Sequence, residues 1–223
     1  MIETLFPNVL EYASDMVVAF KETVIMVLIS GAIGLVAGLI LAIILVITRE
    51  NGLYENKVLH RILETIINIF RSIPFVILVA MLVSFTRLLM GTSIGIKGAL
   101  VPMVIGIVPF ISRLAEQALL EVDKGVIEAA WAMGISKRYI VFHILIPEAK
   151  PGLIRSFITG TISLIGLSTM AGTVGGGGIG SFAVRYGYSR YMNDITFVTV
   201  VILVLSVNII QTLGNRAASK ITH

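Results

Sequence analysis

The sequence has no cysteine and few charged residues. Without cysteine the chain can form no disulfide, no thiolate zinc site and no iron–sulfur cluster, and it has no cysteine nucleophile. Charged residues make up 13% of the chain, whereas soluble domains carry about 25%. Apolar residues take their place, at 57% of the total. This composition excludes a water-soluble monomer and indicates a lipid bilayer as the solvent.

Long uncharged stretches predict five membrane-spanning helices in one transmembrane domain over residues 1–223. A helix needs about 20 apolar residues to cross a bilayer, and the first and last stretches are long enough alone. The intermediate spans must include or adjoin charged residues such as Arg71, Arg113 and Glu116. We therefore predict an all-α, polytopic membrane protein with spans at approximately 23–48, 65–88, 98–120, 153–173 and 194–215.

The distribution of basic residues predicts the orientation of these spans. Segments 49–71 and 113–155 and the carboxyl-terminal tail fall on one side and hold twelve of the 17 Lys and Arg residues. The opposite side holds the other five. Because basic loops stay in the cytoplasm, we expect the N-terminus outside and the C-terminus in the cytoplasm. The cytoplasmic loop at 121–151 is then the longest one.

Small residues are concentrated inside the spans. Ser30, Gly34 and Gly38 recur every four residues on one face of the first span, a spacing that allows close packing between membrane helices. The run from Thr169 to Gly180 is too rich in glycine for a stiff helix. We expect a bend or a re-entrant stretch there, lined by protein.

Patterns that would indicate catalysis or ion coupling are weak. Gly175, Gly177 and Gly180 match a dinucleotide-binding spacing, but no parallel-strand unit precedes them. The three histidines are scattered without the spacing of metal ligands. Glu116 is the only carboxylate expected within a span, and Arg113 can neutralise it. We therefore predict a protein that is not an enzyme and holds no metal ion.

The cytoplasmic loop contains a short amphipathic helix. Ile127, Ala130, Trp131 and Gly134 fall on one face at helical spacing. We expect a break at Gly134 and a second helix from Ser136. The apolar face has to be buried, and two alternatives are open. It packs on the chain's own membrane helices or the lipid interface, or it fits a socket on a soluble partner.

A longer motif runs through this loop. Glu128-Ala129-Ala130 is followed by Gly134 and, after nine further residues, by Ile144-Leu145-Ile146-Pro147. This order resembles the EAA loop of binding-protein-dependent ABC importer permeases, with a volume-conserving isoleucine at 146 in place of leucine. Other segments resemble the five-span methionine importer permeases: Asn68–Phe75, Gly91–Gly95, Ala118–Glu121, Pro147–Ala149 and Tyr186–Tyr188.

The resemblance implies a type I importer that works by alternating access, with this chain as its non-catalytic permease subunit. Two copies would form the pathway in the bacterial cytoplasmic (inner) membrane. Two cytoplasmic ABC ATPase subunits would bind ATP and Mg, and an extracytoplasmic substrate-binding lipoprotein would deliver methionine. No nucleic acid is implied. The EAA segment would be the coupling helix, with Glu128, Ala129, Ala130, Gly134 and Pro147 docking on the ATPase.

Methionine is a zwitterion with a thioether tail, so its pathway needs polar backbone together with a soft apolar lining. The fourth span offers Met170 near Ser168 and Gly172, and we expect these residues to line the pathway. The backbone of 175–180 is expected to meet the binding protein. One alternative stays open for Met170 and two stay open for the function of the chain. Met170 can simply be a packing residue, and the solute can be another small amino acid or related compound. The alternative from another class of protein is a self-contained proton-coupled carrier. Glu116, the only carboxylate expected within a span, is the residue that favours it.

Overall fold

A computed structural model describes residues 5–220, which form helices joined by short turns and include no strand. The helices are α1 Pro7–Glu11, α2 Ala13–Thr48, α3 Lys57–Ser72, α4 Phe75–Met81, α5 Val83–Met90, α6 Gly95–Leu120, α7 Lys124–Ala132, α8 Lys137–Ile140, α9 Ile146–Thr173, α10 Gly178–Phe182 and α11 Asn193–Ser219. A π-helical segment, Val141–Leu145, joins α8 to α9, and another, Ala183–Tyr188, follows α10.

Four helical stretches within residues 5–220 are long and apolar enough to cross a membrane, namely α2, α6, Lys137–Thr173 and α11. A fifth span arises if the bent pair α3 and α4 counts as one. The bend falls at Pro74, which has no N–H to donate to the preceding turn. The prediction of an all-α polytopic protein is confirmed. The bounds of the spans stay predictions, and the second predicted span, 65–88, covers parts of α3 and α5 with α4 between them.

The chain divides into two compact units. The first unit takes Met1–Ile33, Ile73–Ile107 and Thr161–Ile210, and the second takes Gly34–Ser72, Val108–Gly160 and Gln211–His223. Each of α2, α6, α9 and α11 contributes one part to each unit. The loop 121–151 belongs to the second unit, and the glycine-rich run 169–180 belongs to the first.

Small side chains allow the helices of the second unit to pack closely. Its buried apolar cluster consists of Ala42, Val46, Ala115, Ala118, Leu119, Leu145, Ala149 and Leu153. A Cβ on Gly38 would lie 2.7 Å from Ile111 Cγ2, and one on Gly160 would lie 2.9 Å from Ile111 Cγ1. The two glycines therefore let α2 and α9 approach α6 around Ile111. The predicted packing role of Gly38 is confirmed.

A second cluster lies in the first unit, where aromatic rings and hydrogen bonds join α1 and α2 to the region after α10. Its buried members are Ala19, Phe182, Tyr186 and Ile195. Asp194 accepts hydrogen bonds from the backbone N–H groups of Asn8 at 3.0 Å and Val9 at 3.3 Å. This carboxylate satisfies N–H groups in the first turn of α1 that have no partner within that helix. The Tyr186 hydroxyl donates to Asp15 at 2.9 Å.

The outer faces of α2 and α11 expose large apolar side chains. On α11 they include Phe197, Val200, Val204, Leu205, Ile209 and Leu213, and on α2 they include Leu28, Val36 and Ile40. Water would make such surfaces unfavourable, whereas the hydrocarbon core of a bilayer accommodates them. These faces suit contact with lipid or with another membrane helix.

Candidate functional site

Helix α7, which carries the EAA residues, ends in a glycine cap. Gly134 has a left-handed conformation with φ +76°. Its N–H donates to the carbonyl of Trp131 at 2.9 Å, and the N–H of Ile135 donates to the carbonyl of Ala130 at 3.2 Å. These two bonds form a Schellman motif, which favours glycine because other L-residues are strained at this φ. The predicted break at Gly134 is confirmed.

The starts of α7 and α8 are capped by side chains. Asp123 Oδ1 accepts a hydrogen bond from the N–H of Gly125 at 2.7 Å, and Ser136 Oγ accepts one from the N–H of Tyr139 at 3.4 Å. Such caps satisfy N–H groups that have no partner within the helix. Since a nine-residue helix is marginal alone, the caps at both ends of α7 help to keep it rigid.

Helix α7 has one face turned into its own unit and one turned outward. Ala130 is 2% exposed, and Ile127 packs on the buried cluster of the second unit. The outward surface is formed by Glu128, Ala129, Trp131 and Met133. The predicted apolar face is therefore divided: Ile127 and Ala130 attach the helix to its own unit, while Trp131 points outward. Ala130 and Gly134 shape and hold α7 in this geometry, and they offer little side-chain surface to a partner.

A turn at residues 49–56 faces α7 across a cleft of about 650 Å³. The turn folds back on the end of α2, because the N–H of Tyr54 donates to the carbonyl of Ile47 at 2.8 Å. Lys137 Nζ lies 5.2 Å from the centre of the Tyr54 ring and 5.4 Å from that of Trp131. Both distances fit cation–π contacts. Lys137 thus joins α7 and α8 to the turn that follows α2.

Glu50 and Lys57 pair across the same turn. The Lys57 ammonium lies 2.6 Å from a Glu50 carboxylate oxygen, and this hydrogen bond, reinforced by the charge of Lys57, lowers the pKa of the Glu50 carboxyl group. Both side chains are exposed to solvent. Solvent screens exposed ion pairs so that they contribute little to stability, and this pair therefore does not hold the turn in place.

Pro147 is exposed in the first turn of α9. It does not end the helical path, which runs from Lys137 to Thr173 over 37 residues. Proline lacks the N–H that would bond to a carbonyl of the preceding turn, so an irregularity is expected just before it. The π-helical segment Val141–Leu145 precedes it and carries the path from α8 into α9.

Helix α9 ends in a glycine turn that reverses into α10. Gly175, Gly177 and Gly178 have φ values of +89°, +78° and +74°. A Cβ on Gly172 would lie 2.8 Å from the carbonyl carbon of Gly180, so the two helices touch backbone to backbone. The predicted bend is confirmed. Its exposed tip is restricted to residues 173–175, because residues 178–180 are buried.

Side chains from α2 bind the start of α10. The N–H of Gly178 donates to Glu22 Oε2 at 2.7 Å, and the N–H of Ile179 donates to Thr23 Oγ1 at 2.8 Å. The N–H of Gly95 donates to the carbonyl of Gly175 at 2.8 Å. The glycine turn is therefore held by α2 and by the first residue of α6.

The three predicted pathway residues occupy different environments. Ser168 is 1% exposed, and its hydroxyl donates to the carbonyl of Ile165 at 2.8 Å. Gly172 packs against α10. Met170 is 49% exposed, and it shares its face of α9 with Gly166, which is also exposed. Of the three, only Met170 offers a free side chain, and Ser168 and Gly172 have packing positions inside the subunit.

A polar link between α3 and α6 was not foreseen from the sequence. Arg113 Nη1 donates to Glu116 at 2.8 Å, which confirms the predicted pairing. Arg113 Nη2 also donates to Glu64 at 3.2 Å and to Asn68 at 3.0 Å. The sequence pattern that indicates such a link is the recurrence of polar residues at His60, Glu64 and Asn68, four residues apart on one face of a helix.

Comparisons with known proteins identify the class. Residues 34–220 match the family described as binding-protein-dependent transport system inner membrane component. The chain belongs to this family. It is therefore a multi-pass inner-membrane permease component of a transport system and not an enzyme. The class inferred from the EAA motif is confirmed.

Relatives within this family are methionine permeases by name. The chain is 45% identical to the probable D-methionine transport system permease protein MetI of Vibrio cholerae, covering 91% of this chain and 90% of that protein. It is 45% identical to the methionine import system permease protein MetP of Bacillus subtilis, covering 77% of this chain and 78% of that protein.

Solved structures show the same fold. A chain from the inward-facing MetNI methionine ABC transporter matches with a TM-score of 0.91 and 42% identity, covering 93% of this chain and 96% of that one. A chain of an amino acid ABC transporter solved with histidines matches with a TM-score of 0.80 at 16% identity, covering 96% of this chain and 98% of that one. This second likeness concerns the fold alone.

The anchoring of the glycine turn by Thr23 leads to a stability prediction. Thr23→Val keeps the side-chain shape but removes the acceptor for the buried N–H of Ile179, which costs about 1–3 kcal/mol. Thr23→Ser keeps the oxygen. We expect the valine variant to lower the thermal unfolding midpoint of the purified subunit well below that of the serine variant. Equal midpoints for the two variants would contradict the anchoring role.

Proposed function

We propose that this chain is the permease subunit of an ATP-driven importer for methionine. The observation that carries the proposal is the TM-score of 0.91 to a chain of the MetNI methionine transporter, with 93% of this chain covered. A relative named as a D-methionine permease at 45% identity over 91% of the chain supports the same substrate. The proposed complex contains two copies of the permease, two cytoplasmic ABC ATPases that bind ATP and Mg, and an extracytoplasmic binding protein.

We further propose the outward surface of α7 as the ATPase contact. Glu128 supplies a carboxylate for hydrogen bonds, and Trp131 and Met133 supply apolar area at 57% and 73% exposure. Large exposed aromatic side chains are frequent anchors in protein interfaces. Ala129 keeps the surface shallow between them. Pro147, exposed at the start of α9, remains a candidate for the edge of the contact.

The packing of α7 supports its role as a lever. Ile127 and Ala130 attach the inner face of α7 to its unit, and Lys137 joins it to the turn that follows α2. When ATP closes the two ATPases, a displacement of α7 would pass directly into α6 and α9, the helices that precede and follow the loop. Such movements of packed helices are a common route between conformations. In this scheme the permease alternates between outward-open and inward-open states.

Met170 is the residue that we propose for the pathway. The exposed side chains of α11 are large and apolar, which suits lipid, whereas α9 exposes Gly166, Met170 and Thr173 along one face. Small and polar groups are poor contacts for hydrocarbon but suit an amino acid with charged ends. The thioether of Met170 provides soft apolar contact for a methionine tail.

We also propose that the N-terminus lies outside and the C-terminus in the cytoplasm. Support comes from the basic residues, twelve of 17 on the side assigned to the cytoplasm. The tip of the glycine turn at 173–175 would then face the binding protein.

Single-cysteine labelling tests the orientation, and the chain has no native cysteine. Tyr191→Cys and Ser219→Cys both replace exposed residues. We expect a membrane-impermeant maleimide to label position 191 in intact spheroplasts and position 219 only after permeabilisation. The reverse pattern would invert the proposed topology.

Transport by the reconstituted complex tests the function itself. Proteoliposomes with the permease, its ATPase and its binding protein should accumulate labelled methionine only when ATP is available to the ATPase. Excess unlabelled methionine should compete, while unrelated amino acids should not. Preferential uptake of a different amino acid would reassign the substrate, and uptake without the ATPase would indicate a self-contained carrier.

Charge reversal at Glu128 tests the contact surface of α7. We expect Glu128→Lys to weaken ATPase association about tenfold, a change of ~1.4 kcal/mol, and to lower methionine uptake per ATP hydrolysed. Glu121→Lys is the matched control, because Glu121 is also exposed but precedes α7. Co-purification and coupled transport equal to wild type in the Glu128 variant would remove this residue from the interface.

A further inference from the structure

We propose that Arg113 is a positioning residue that makes α3 follow α6 during transport. This inference rests on the proposed function, because the motion that α3 follows is the one that the ATPases impose on α7. Helix α6 ends at Leu120 and α7 begins at Lys124. Any displacement of α7 therefore reaches α6 through a connection of three residues.

Apolar packing does little to hold α3. Its only buried residue is Ile67, at 2% exposure. The apolar side chains on its outer side are open, with exposures of 70% for Val58, 51% for Ile62, 45% for Ile66 and 55% for Ile69. Most of the apolar side chains of α3 thus point away from the unit, and only Leu63 and Phe70 are half-buried besides Ile67. The contacts that attach α3 to the unit therefore have to come mainly from the opposite side of the helix.

The inner side of α3 carries polar groups that contact α2 and α6. His60 Nδ1 lies 3.0 Å from the carbonyl oxygen of Leu45 on α2, so the protonated Nδ1 donates to it. Glu64 and Asn68, at successive turns, accept hydrogen bonds from Arg113 on α6 at 3.2 Å and 3.0 Å. These contacts form a polar stripe, His60–Glu64–Asn68, directed at the unit.

Arg113 suits a bridging role because its guanidinium binds both helices at once. One Nη group donates to Glu116 on its own helix, and the other donates to the two acceptors on α3. The side chain is 17% exposed. Only arginine presents several donors in a fixed planar fork, so a lysine cannot make these contacts together. A charged group within a membrane region is costly to leave unpaired, which opposes separation of the helices.

The Arg113–Glu64 ion pair also differs from the other ion pairs of residues 5–220. Its partners are 49 residues apart, whereas the partners of the other ion pairs lie no more than seven residues apart. It is therefore the ion pair that connects separate parts of the fold. Breaking it would leave α3 attached by Ile67, the His60 contact and the single bond from Arg113 to Asn68.

Amide hydrogen exchange is measured on the permease assembled with its ATPase in lipid nanodiscs. Transport is measured on the same complex, together with its binding protein, in proteoliposomes. Glu64→Gln removes the charge with little change of shape. We expect faster amide hydrogen exchange in residues 57–72, unchanged exchange in residues 193–219, and several-fold less methionine uptake per ATP hydrolysed. Glu55→Gln is the control, because the partners of the Glu55 carboxylate, Asn51 and Lys57, lie within four residues of it, and it should behave as wild type.

Arg113→Lys keeps the positive charge but loses the planar fork that binds both helices. We expect the same changes in hydrogen exchange and in uptake per ATP as for Glu64→Gln. If Glu64→Gln does not assemble with the ATPase, Asn68→Ala is measured in its place and read in the same way. Faster exchange in α3 with unchanged uptake per ATP would overturn the proposal, since the pair would then be purely structural. Unchanged exchange would overturn it as well. Failure of the proposed function is recognised separately, by the absence of ATP-dependent methionine uptake with the wild-type chain.

Discussion

A bilayer supplies no water to complete the hydrogen bonds of an interrupted helix, so each peptide group at a break needs a partner from the protein. This constraint explains the polar residues of the glycine turn. Where α9 reverses into α10, Glu22 and Thr23 accept from two N–H groups at the start of α10, and Gly95 donates to a carbonyl of the turn. The chain can reverse there because side chains and backbone from other helices satisfy these groups.

The same medium changes what holds helices together. Lipid offers no gain for apolar association, so helices meet where side chains are small or polar. Gly38 and Gly160 bring two helices onto Ile111, whereas α3 joins the unit through Glu64, Asn68 and Arg113. The first kind of contact is tight. The second is formed by a few directional bonds, which suits an element that follows the helix to which it is bonded.

Much of this architecture could be predicted from the sequence, since it depends on local patterns. Hydrophobic length marked the long helices, and the spacing around Gly134 marked the end of α7 because only a few residues tolerate that cap. Contacts between distant residues could not be read in this way. Nothing local to Thr23 indicates that it accepts from Ile179, 156 residues away. Likewise, nothing local to Ala130 indicates that it is covered, and only its 2% exposure in the folded unit shows it.

The π-helical segment Val141–Leu145 fixes the angular phase between α8 and α9. A π turn holds one residue more than an α turn, so every side chain before it is rotated by about 100° relative to the frame of an uninterrupted α-helix. Deleting one residue from this segment would restore regular periodicity. It would also swing Lys137 away from the rings of Tyr54 and Trp131 while leaving α9 where it is. The extra residue thus sets the azimuth at which α8 presents Lys137 to these rings, independently of the sequence of either helix.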